Sequence, residues 1–344
     1  MGCPRLLLAG DCSVFSGRVP LAEQSHGGTA LRSHRLIAWL AARCASVRIM
    51  FFMLSRIVTK LGQEGVGSVA NAARRKFQIW WYSPKIEISP TRLTLKRFGT
   101  RYGGWTVFET TSLRGSRIVS CGAGEDISFD ISIASELGCS VVVVDPTPRA
   151  VEHVRSVIQC VSQGWPGDQG YGHRGSQSVG NYDLSNIFPG QIVFVERAIW
   201  SKREVVRFFA PQDARHVSHS IVNIQHSQRL DQPDGYIDVP AVTLQDILEE
   251  NNIEQLEVLK LDIEGAEISV LRDVIEKGIR PKQLLVEFDG LLFPSTKTRT
   301  DIKFTDSILR EAGYNCYHRD GQANFLYALR AEVAKWERAL DELF

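Results

Sequence analysis

The sequence has no paired cysteines. Its seven, Cys3, Cys12, Cys44, Cys121, Cys139, Cys160 and Cys316, are odd in number and scattered, with no C-x-x-C spacing among them. That pattern excludes a disulfide framework and a zinc site built on cysteine pairs, and it points to a reducing, cytoplasmic setting. Net charge is lacking as well. Forty Lys and Arg stand against 39 Asp and Glu, for a formal net charge of +1, so no global field marks a nucleic-acid binder and no nucleic-acid partner is expected. Nor is there an apolar run long enough to span a bilayer, which takes roughly 20 residues. The best stretch is interrupted by Arg43 and Arg48, and a central Arg costs about 2.5–3.5 kcal/mol on insertion scales. The opening MGCPRLLLAG carries Leu6 where N-myristoylation needs Ser or Thr, and its apolar run is too short for a secretory signal. What is present is ordinary for a globular chain: 344 residues, 44% apolar and 23% charged. That length suffices for one large domain or two modest ones.

Three zones follow along the chain. Residues 1–33 have no periodicity and read as a poorly ordered tail. Residues 34–76 read as a helical arm. Leu36, Leu40, Cys44, Val47, Phe51, Leu54 and Val58 recur at steps of three and four and draw one apolar stripe. Arg32, Arg35, Arg43, Arg48, Arg56 and Lys60 accompany it, and no acid occurs between Glu23 and Glu64. Residues 34–60 therefore suit either peripheral contact with an anionic membrane surface or packing on the chain's own domain or a second subunit; the packing reading is the more economical. From residue 77 to 344 the pattern is that of a single domain of alternating strands and helices.

In that domain RIVSC (117–121), CSVVVVD (139–145), QIVFVE (191–196), LEVLKLD (256–262) and QLLVEFD (283–289) are short apolar, β-branched runs expected as buried parallel strands. Helices are expected over 125–137, 148–161 and 264–278, the last stopping at Gly278. YNCYH and ANFLYAL near the end suit an antiparallel ribbon. Alternation of this kind predicts an α/β, doubly wound sheet, mostly parallel with a C-terminal antiparallel strand. Ligands of such sheets lie beyond the carboxyl ends of the strands, which directs attention to Cys121, Asp145, Glu196, Asp262 and Asp289.

The stretch SCGAGEDISFD (120–130) places Gly122 and Gly124 directly after a strand and two acids, Glu125 and Asp126, directly after the glycines. A dinucleotide turn wants G-x-G-x-x-G with pyrophosphate on the helix N-terminus. Here the third glycine position is Ile127, and the acids would face phosphate, like charges about 4 Å apart repelling by roughly 4 kcal/mol at an effective dielectric near 20. A nicotinamide-dependent oxidoreductase is thus disfavoured. The turn suits a ligand without phosphates that carries positive charge. S-adenosylmethionine meets both conditions, and Asp145, about twenty residues on at the next strand end, is where an acid grips ribose hydroxyls. The blander reading makes Glu125 and Asp126 complements to the helix dipole, worth about 0.3–1 kcal/mol each.

SCGAGEDISFD, VVVVDPTPRAV, HVSHSIVNI and VLKLDIEGAEISVL resemble the FkbM family of S-adenosylmethionine-dependent methyltransferases, and FGTRYGGW (98–105) is similar to the lead-in of one branch of it. The resemblance runs over about residues 95–330. It implies a class I methyltransferase (Rossmann-like) fold and transfer of a methyl group to a hydroxyl of a sugar, glycolipid or polyketide-type acceptor. It further implies that Cys121, Gly122, Ala123 and Gly124 form the cofactor turn, with Glu125 and Asp126 beside it. Asp145 would hold the ribose, next to Pro146 and Thr147, and Glu196, Arg197 and Ala198 would lie near the adenine. Many members carry Asp where this chain has Ser120, so Glu125 or Asp126 is expected to take over that polar role.

On KLDIEGAE, strand alternation puts Lys260 and Asp262 on one face, with Asp262 at the rim. Glu264 and Glu267 are three apart and would share the first turn of a helix, and Lys260 would pair with Glu287 in a purely structural reading. Methyl transfer to a hydroxyl needs alignment and a base. Asp262 is the first candidate for that base, His219 the second, and Lys260 a support for the carboxylate or the acceptor. His216 and His219 in HVSHS are not read as metal ligands, since their surroundings suit strand or loop and no second carboxylate cluster accompanies them; no metal is expected. The Gly-, Ser- and Gln-rich stretch 163–190 offers Trp165, Tyr171, His173, Arg174 and Tyr182 as acceptor contacts, or is an insertion without a role. The reading is an S-adenosylmethionine-dependent O-methyltransferase with a small-molecule or glycan acceptor. A non-catalytic S-adenosylmethionine-binding module is the alternative that Ser120 supports.

Overall fold

The computed structural model describes residues 81–163, 177–209, 236–292, 295–321 and 323–342. The tail and arm expected over 1–76, with the membrane or self-association role of 34–60, lie outside the described residues. So do Trp165, Tyr171, His173 and Arg174, and both His216 and His219.

The described chain opens with a hairpin, β1 (Leu95–Phe98) and β2 (Trp105–Phe108), paired antiparallel with Phe98 opposite Trp105. The alternating pattern then begins. β3 (Arg117–Cys121), α1 (Ser128–Leu137), β4 (Ser140–Val144), α2 (Pro148–Gln163) and β5 (Ile192–Val195) follow in turn. A small three-stranded sheet comes next, from β6 (Ala198–Ile199), β7 (Glu204–Phe209) and β8 (Tyr236–Val242) in the order β6-β8-β7. The chain returns through α3 (Leu244–Glu250), β9 (Val258–Leu261), α4 (Glu267–Glu276) and β10 (Gln283–Glu287). It closes with α5 (Thr296–Glu311), the ribbon β11 (Tyr314–Asp320) and β12 (Asn324–Leu329), and α6 (Arg330–Asp341).

The main sheet has seven strands in the order β11-β12-β10-β9-β3-β4-β5. β10, β9, β3, β4 and β5 are parallel neighbours, and β12 runs antiparallel to both β10 and β11. The apolar runs explain the layering. Successive strand side chains point to opposite faces, so Val141 and Val143 of β4 join the core beneath α1, α2 and α6, while Val142 and Val144 join the core beneath α3, α4 and α5. With helices on both faces, the parallel strands have no polar side to present. The result is a mixed α/β, doubly wound architecture, with β12 as the antiparallel strand near the C-terminus. Among the described residues no helix is long and apolar enough to cross a membrane.

Register brings the strand ends level. Cys121 is opposite Val144 and Leu261, Val144 is opposite Val195, and Leu261 is opposite Val286. The chain leaves β3 toward β4 and β5 and later crosses to β9 on the other side, so the strand order reverses between β3 and β9. That switch point opens a crevice at the carboxyl edge.

Three expected boundaries move, for backbone reasons. The helix expected from residue 125 begins at Ser128, because Gly124 has φ +53°. The helix expected from 264 begins at Glu267, because Glu264 and Gly265 have φ of +51° and +95°; Glu264 and Glu267 therefore do not share a helical turn. The strand expected to end at Asp289 ends at Glu287, and Asp289 starts a 3-10 turn.

Candidate functional site

The glycine turn sits at the switch point. Gly122 has φ +89°, and a Cβ there would lie 1.7 Å from the Asp262 carbonyl oxygen. The position therefore needs glycine for its backbone and for the close approach of β9's end. Lys260, buried on β9, donates to the Gly122 carbonyl at 2.6 Å and stands 3.5 Å from the Asp262 carboxylate. Thus the strand register alone brings the turn, Lys260 and Asp262 together. Lys260 does so instead of pairing with Glu287.

Almost every polar group of the turn is held by a different element. Asp145 Oδ2 accepts from Ala123 N at 2.8 Å and from Gly124 N at 3.1 Å. Its Oδ1 accepts from Thr147 N at 2.8 Å and from Thr147 Oγ1 at 2.6 Å. The acid expected to take the ribose hydroxyls thus fastens the turn itself. Glu125 makes a two-pronged ion pair with Arg149, 2.9 and 2.6 Å. Asp126 Oδ2 accepts from Thr100 Oγ1 at 2.7 Å, and its Oδ1 accepts from Ser128 N at 2.9 Å. Ile127 N donates to the Tyr182 hydroxyl at 3.0 Å. Neither Glu125 nor Asp126 is left to replace the family acid missing at Ser120, because both are engaged by the protein.

A different carboxyl lies at that place. Asp130, in the first turn of α1 and 2% exposed, stands beside the Ser120 hydroxyl without a well-aligned hydrogen bond between them. Burial pushes the Asp130 pKa up, and the charge of Lys260 pulls the other way. The β1–β2 hairpin closes this end of the crevice. Thr100 N donates to Ser128 Oγ at 2.8 Å. A Cβ on Gly103 would collide with Asp126 Cγ at 2.5 Å, so the hairpin loop lies directly on the acid. Trp105 presents its ring 5.6 Å from Lys260 Nζ, a cation–π approach that leaves the lysine's bond to Gly122 intact.

The carboxyl ends of β9 and β10 carry a group of acids. Because Leu261 is opposite Val286, Asp262 and Glu287 follow side by side. Burial, and then the charge of Asp262, push Glu287 up to about 10. Burial raises Glu267 to about 7, although its Oε1 accepts from Gly265 N at 2.8 Å. Asp289 is held well above the usual carboxylate range by burial and by the charges of Glu264 and Glu267. Burial and the like charges around them therefore favour the protonated forms of Glu287 and Asp289. Among the described residues no three His, Cys, Asp or Glu side chains converge in a metal-binding arrangement. Asp262 stands at the rim of this acidic group with its side chain 32% exposed.

The remaining expected site residues are distributed as follows. Cys121 is fully buried, and burial pushes its thiol up to about 12, which makes it wall and not reagent. Pro146 and Thr147 flank Asp145 at the end of β4. Glu196 follows β5 and is brought to the same edge, since Asp145 N donates to Val195 O at 3.2 Å; its carboxylate pairs with Arg155, at 2.7 Å twice. Arg197 pairs with Glu250, and Ala198 is buried opposite Ala241 in the small sheet. Sequence reasoning missed Thr100, Trp105, Asp130, Arg149, His153 and Glu287. Of these, Glu287 left a signal as an acid at the end of an apolar run, and Thr100, Trp105, Asp130 and Arg149 lie inside the stretches that carry the family resemblance.

The fit to an S-adenosylmethionine-type ligand can be tested on the turn's donors. Ala123 N, Gly124 N, Ile127 N and Ser128 N are the groups that would cradle a pyrophosphate, and each already has an acceptor on the protein. An anionic ligand would find those four donors taken and several carboxyl groups nearby, whereas a cation would find a compatible field. No curated protein matches the chain. The family model described as "Methyltransferase FkbM domain" matches residues 119–316. The match starts inside β3, on the way into the glycine turn, and ends in β11. It takes in the turn, Asp145, the Lys260–Asp262 strand and Glu287, and it covers more than half of the 344 residues, so the chain belongs to the FkbM family of methyltransferases.

Proposed function

We propose that the protein transfers a methyl group from S-adenosylmethionine to a hydroxyl oxygen of a sugar, glycolipid or polyketide-type acceptor. The observation that carries the cofactor assignment is the glycine turn whose Ala123, Gly124, Ile127 and Ser128 amides are satisfied within the protein, set among acids at the switch point. The strand order, with five parallel strands and β12 reversed, supports the class I methyltransferase fold. In this reading Gly122–Gly124 and the Asp145–Thr147 corner hold the cofactor, and Ser120 and Asp130 lie behind the turn. Asp130 keeps a carboxyl group where many members have one at position 120, which favours an enzyme over a module that only binds.

When bound, the cofactor supplies an electrophilic methyl carbon on a sulfonium. The chain's own task is to align the acceptor oxygen and remove its proton. Asp262 stands at the rim for that purpose. Lys260 holds the carboxylate from one side and the turn carbonyl from the other, so that base and cofactor turn keep a fixed separation. Burial favours the protonated forms of Glu287 and Asp289, and Asp262 stands beside them with its side chain 32% exposed. A positioned base of this type adds about a hundred- to ten-thousand-fold.

Calorimetric titration tests the cofactor assignment. S-adenosylmethionine and S-adenosylhomocysteine should bind, and NAD should not. Binding of NAD in place of both would overturn the reading. Transfer of labelled methyl to a panel of hydroxylated sugars and glycolipids tests the acceptor class; transfer to amines or carboxylates alone would reassign it.

A further inference from the structure

The segment Gln177–Tyr182 reaches back over the start of α1. Gln177 N donates to Glu125 O at 2.7 Å. A short 3-10 turn, Val179–Asn181, then delivers Tyr182, whose hydroxyl lies 3.0 Å from Ile127 N and 2.8 Å from His153 Nε2. A backbone N–H can only donate, so the Tyr182 oxygen accepts from Ile127, while His153 Nε2 is hydrogen-bonded to the same hydroxyl in a direction set by the imidazole tautomer. Ile127 is the N-cap residue of α1 and has no side-chain cap of its own. Tyr182, 55 residues away, therefore supplies an acceptor at a helix end whose donors need one. His153 and Arg149 are four apart on α2, so one face of that helix holds both Glu125 and the tyrosine.

We propose that Tyr182 is the positioning residue for the cofactor turn. Its hydroxyl, oriented by His153, fixes Glu125–Ile127 in the form that binds the cofactor. The proposal rests on the turn being the S-adenosylmethionine site. It also removes Tyr182 from the acceptor contacts, since that hydroxyl is already engaged on both sides.

His153 is held in a part-buried place, with Glu125 and Asp126 of the turn, Asp130 of α1 and Arg149, already paired with Glu125, as the charged groups around the pair. In either tautomer the imidazole can hydrogen-bond the phenol and so orient it toward Ile127 N.

The test uses the full chain with Tyr182→Phe, His153→Phe and His153→Gln, the last keeping a hydrogen-bonding amide near the position of Nε2. Two quantities are read: amide exchange of Ile127 without ligand, and calorimetric affinity for S-adenosylmethionine. Tyr182→Phe and His153→Phe should each speed Ile127 exchange by about tenfold and weaken binding by about five- to tenfold, the scale of one hydrogen bond. His153→Gln should restore both. Wild-type exchange and affinity in a folded Tyr182→Phe protein would overturn the proposal. If Tyr182→Phe does not fold, the contrast between His153→Phe and His153→Gln decides. Should the wild type itself fail to bind S-adenosylmethionine, the functional reading falls, while Ile127 exchange still reports whether the clamp exists.

Discussion

Replacing Asp145 with alanine removes one carboxylate and four hydrogen bonds at once. The group is 6% exposed, and its partners are Ala123 N, Gly124 N, Thr147 N and Thr147 Oγ1. A hydrogen bond to a charged group contributes about 1.5–3 kcal/mol, and a buried donor left unsatisfied costs about 1–3 kcal/mol. The four do not add, because the Thr147 hydroxyl can rotate and Gly124 is only partly buried. One to two fully orphaned amides remain, which sets the loss at about 2–4 kcal/mol. Against a typical stability of about 5–15 kcal/mol the variant still folds. Its thermal midpoint should drop by roughly 4–16 °C on the scale for domains of this size. Affinity for S-adenosylmethionine should fall with it, because the turn loses its inner support. Thermal denaturation by circular dichroism and calorimetric titration measure the two effects, and amide exchange at Ala123 and Gly124 links them. A midpoint within about 1 °C of wild type, with cofactor affinity unchanged, would refute the claim that Asp145 organises the turn.

Asp262→Asn should keep cofactor affinity within a few-fold and cut turnover by at least about a hundredfold; normal turnover in single-cycle methyl-transfer assays would exclude Asp262 as the base. Gly122→Ala should abolish cofactor binding in calorimetry, since its methyl would enter the Asp262 carbonyl, whereas Gly124→Ala meets open space and should cost only the about 1–2 kcal/mol of a left-handed conformation. Glu287 binds its proton more tightly folded than unfolded, being raised to about 10 from 4.5. The folded state therefore holds the extra proton, and this contribution to stability is complete below pH 4.5 and lost as pH rises toward 10. Glu287→Gln should flatten the decline of thermal midpoint between pH 5 and 9, and a parallel decline in both proteins would contradict the assignment.

The scaffold was legible in the sequence because buried parallel strands are written as apolar, β-branched runs, and Val141–Val144 needs no partner to be recognised. The strand-end acids were legible for the same reason: a run that stops at Asp145 or Asp262 announces its rim. Contacts that depend on which strands lie side by side were not legible. Glu287 and Asp262 are 25 positions apart and meet through the β9–β10 register. Asp126 was read against a ligand, yet its partner is Thr100, in a hairpin whose two four-residue strands are too short for periodicity to reveal. Tyr182 lies in a Gly- and Ser-rich stretch that suggests looseness. Its tie to Ile127 depends on a 3-10 turn of three residues.

The β1–β2 hairpin precedes the region that the family shares, because the match begins at Val119. Its loop is fastened to the rest of the domain through Thr100, Asp126 and Ser128, and Tyr102, 69% exposed, lies within electrostatic reach of Asp262, Glu264 and Glu287. The switch point is thus bordered by a segment with its own short register that also grips the glycine turn, since Thr100 bonds Asp126 and Ser128 and a Cβ on Gly103 would meet Asp126 at 2.5 Å. A change of side chain at the exposed Tyr102 alters that border without touching those bonds, whereas a change at Thr100 or Gly103 reaches the turn itself.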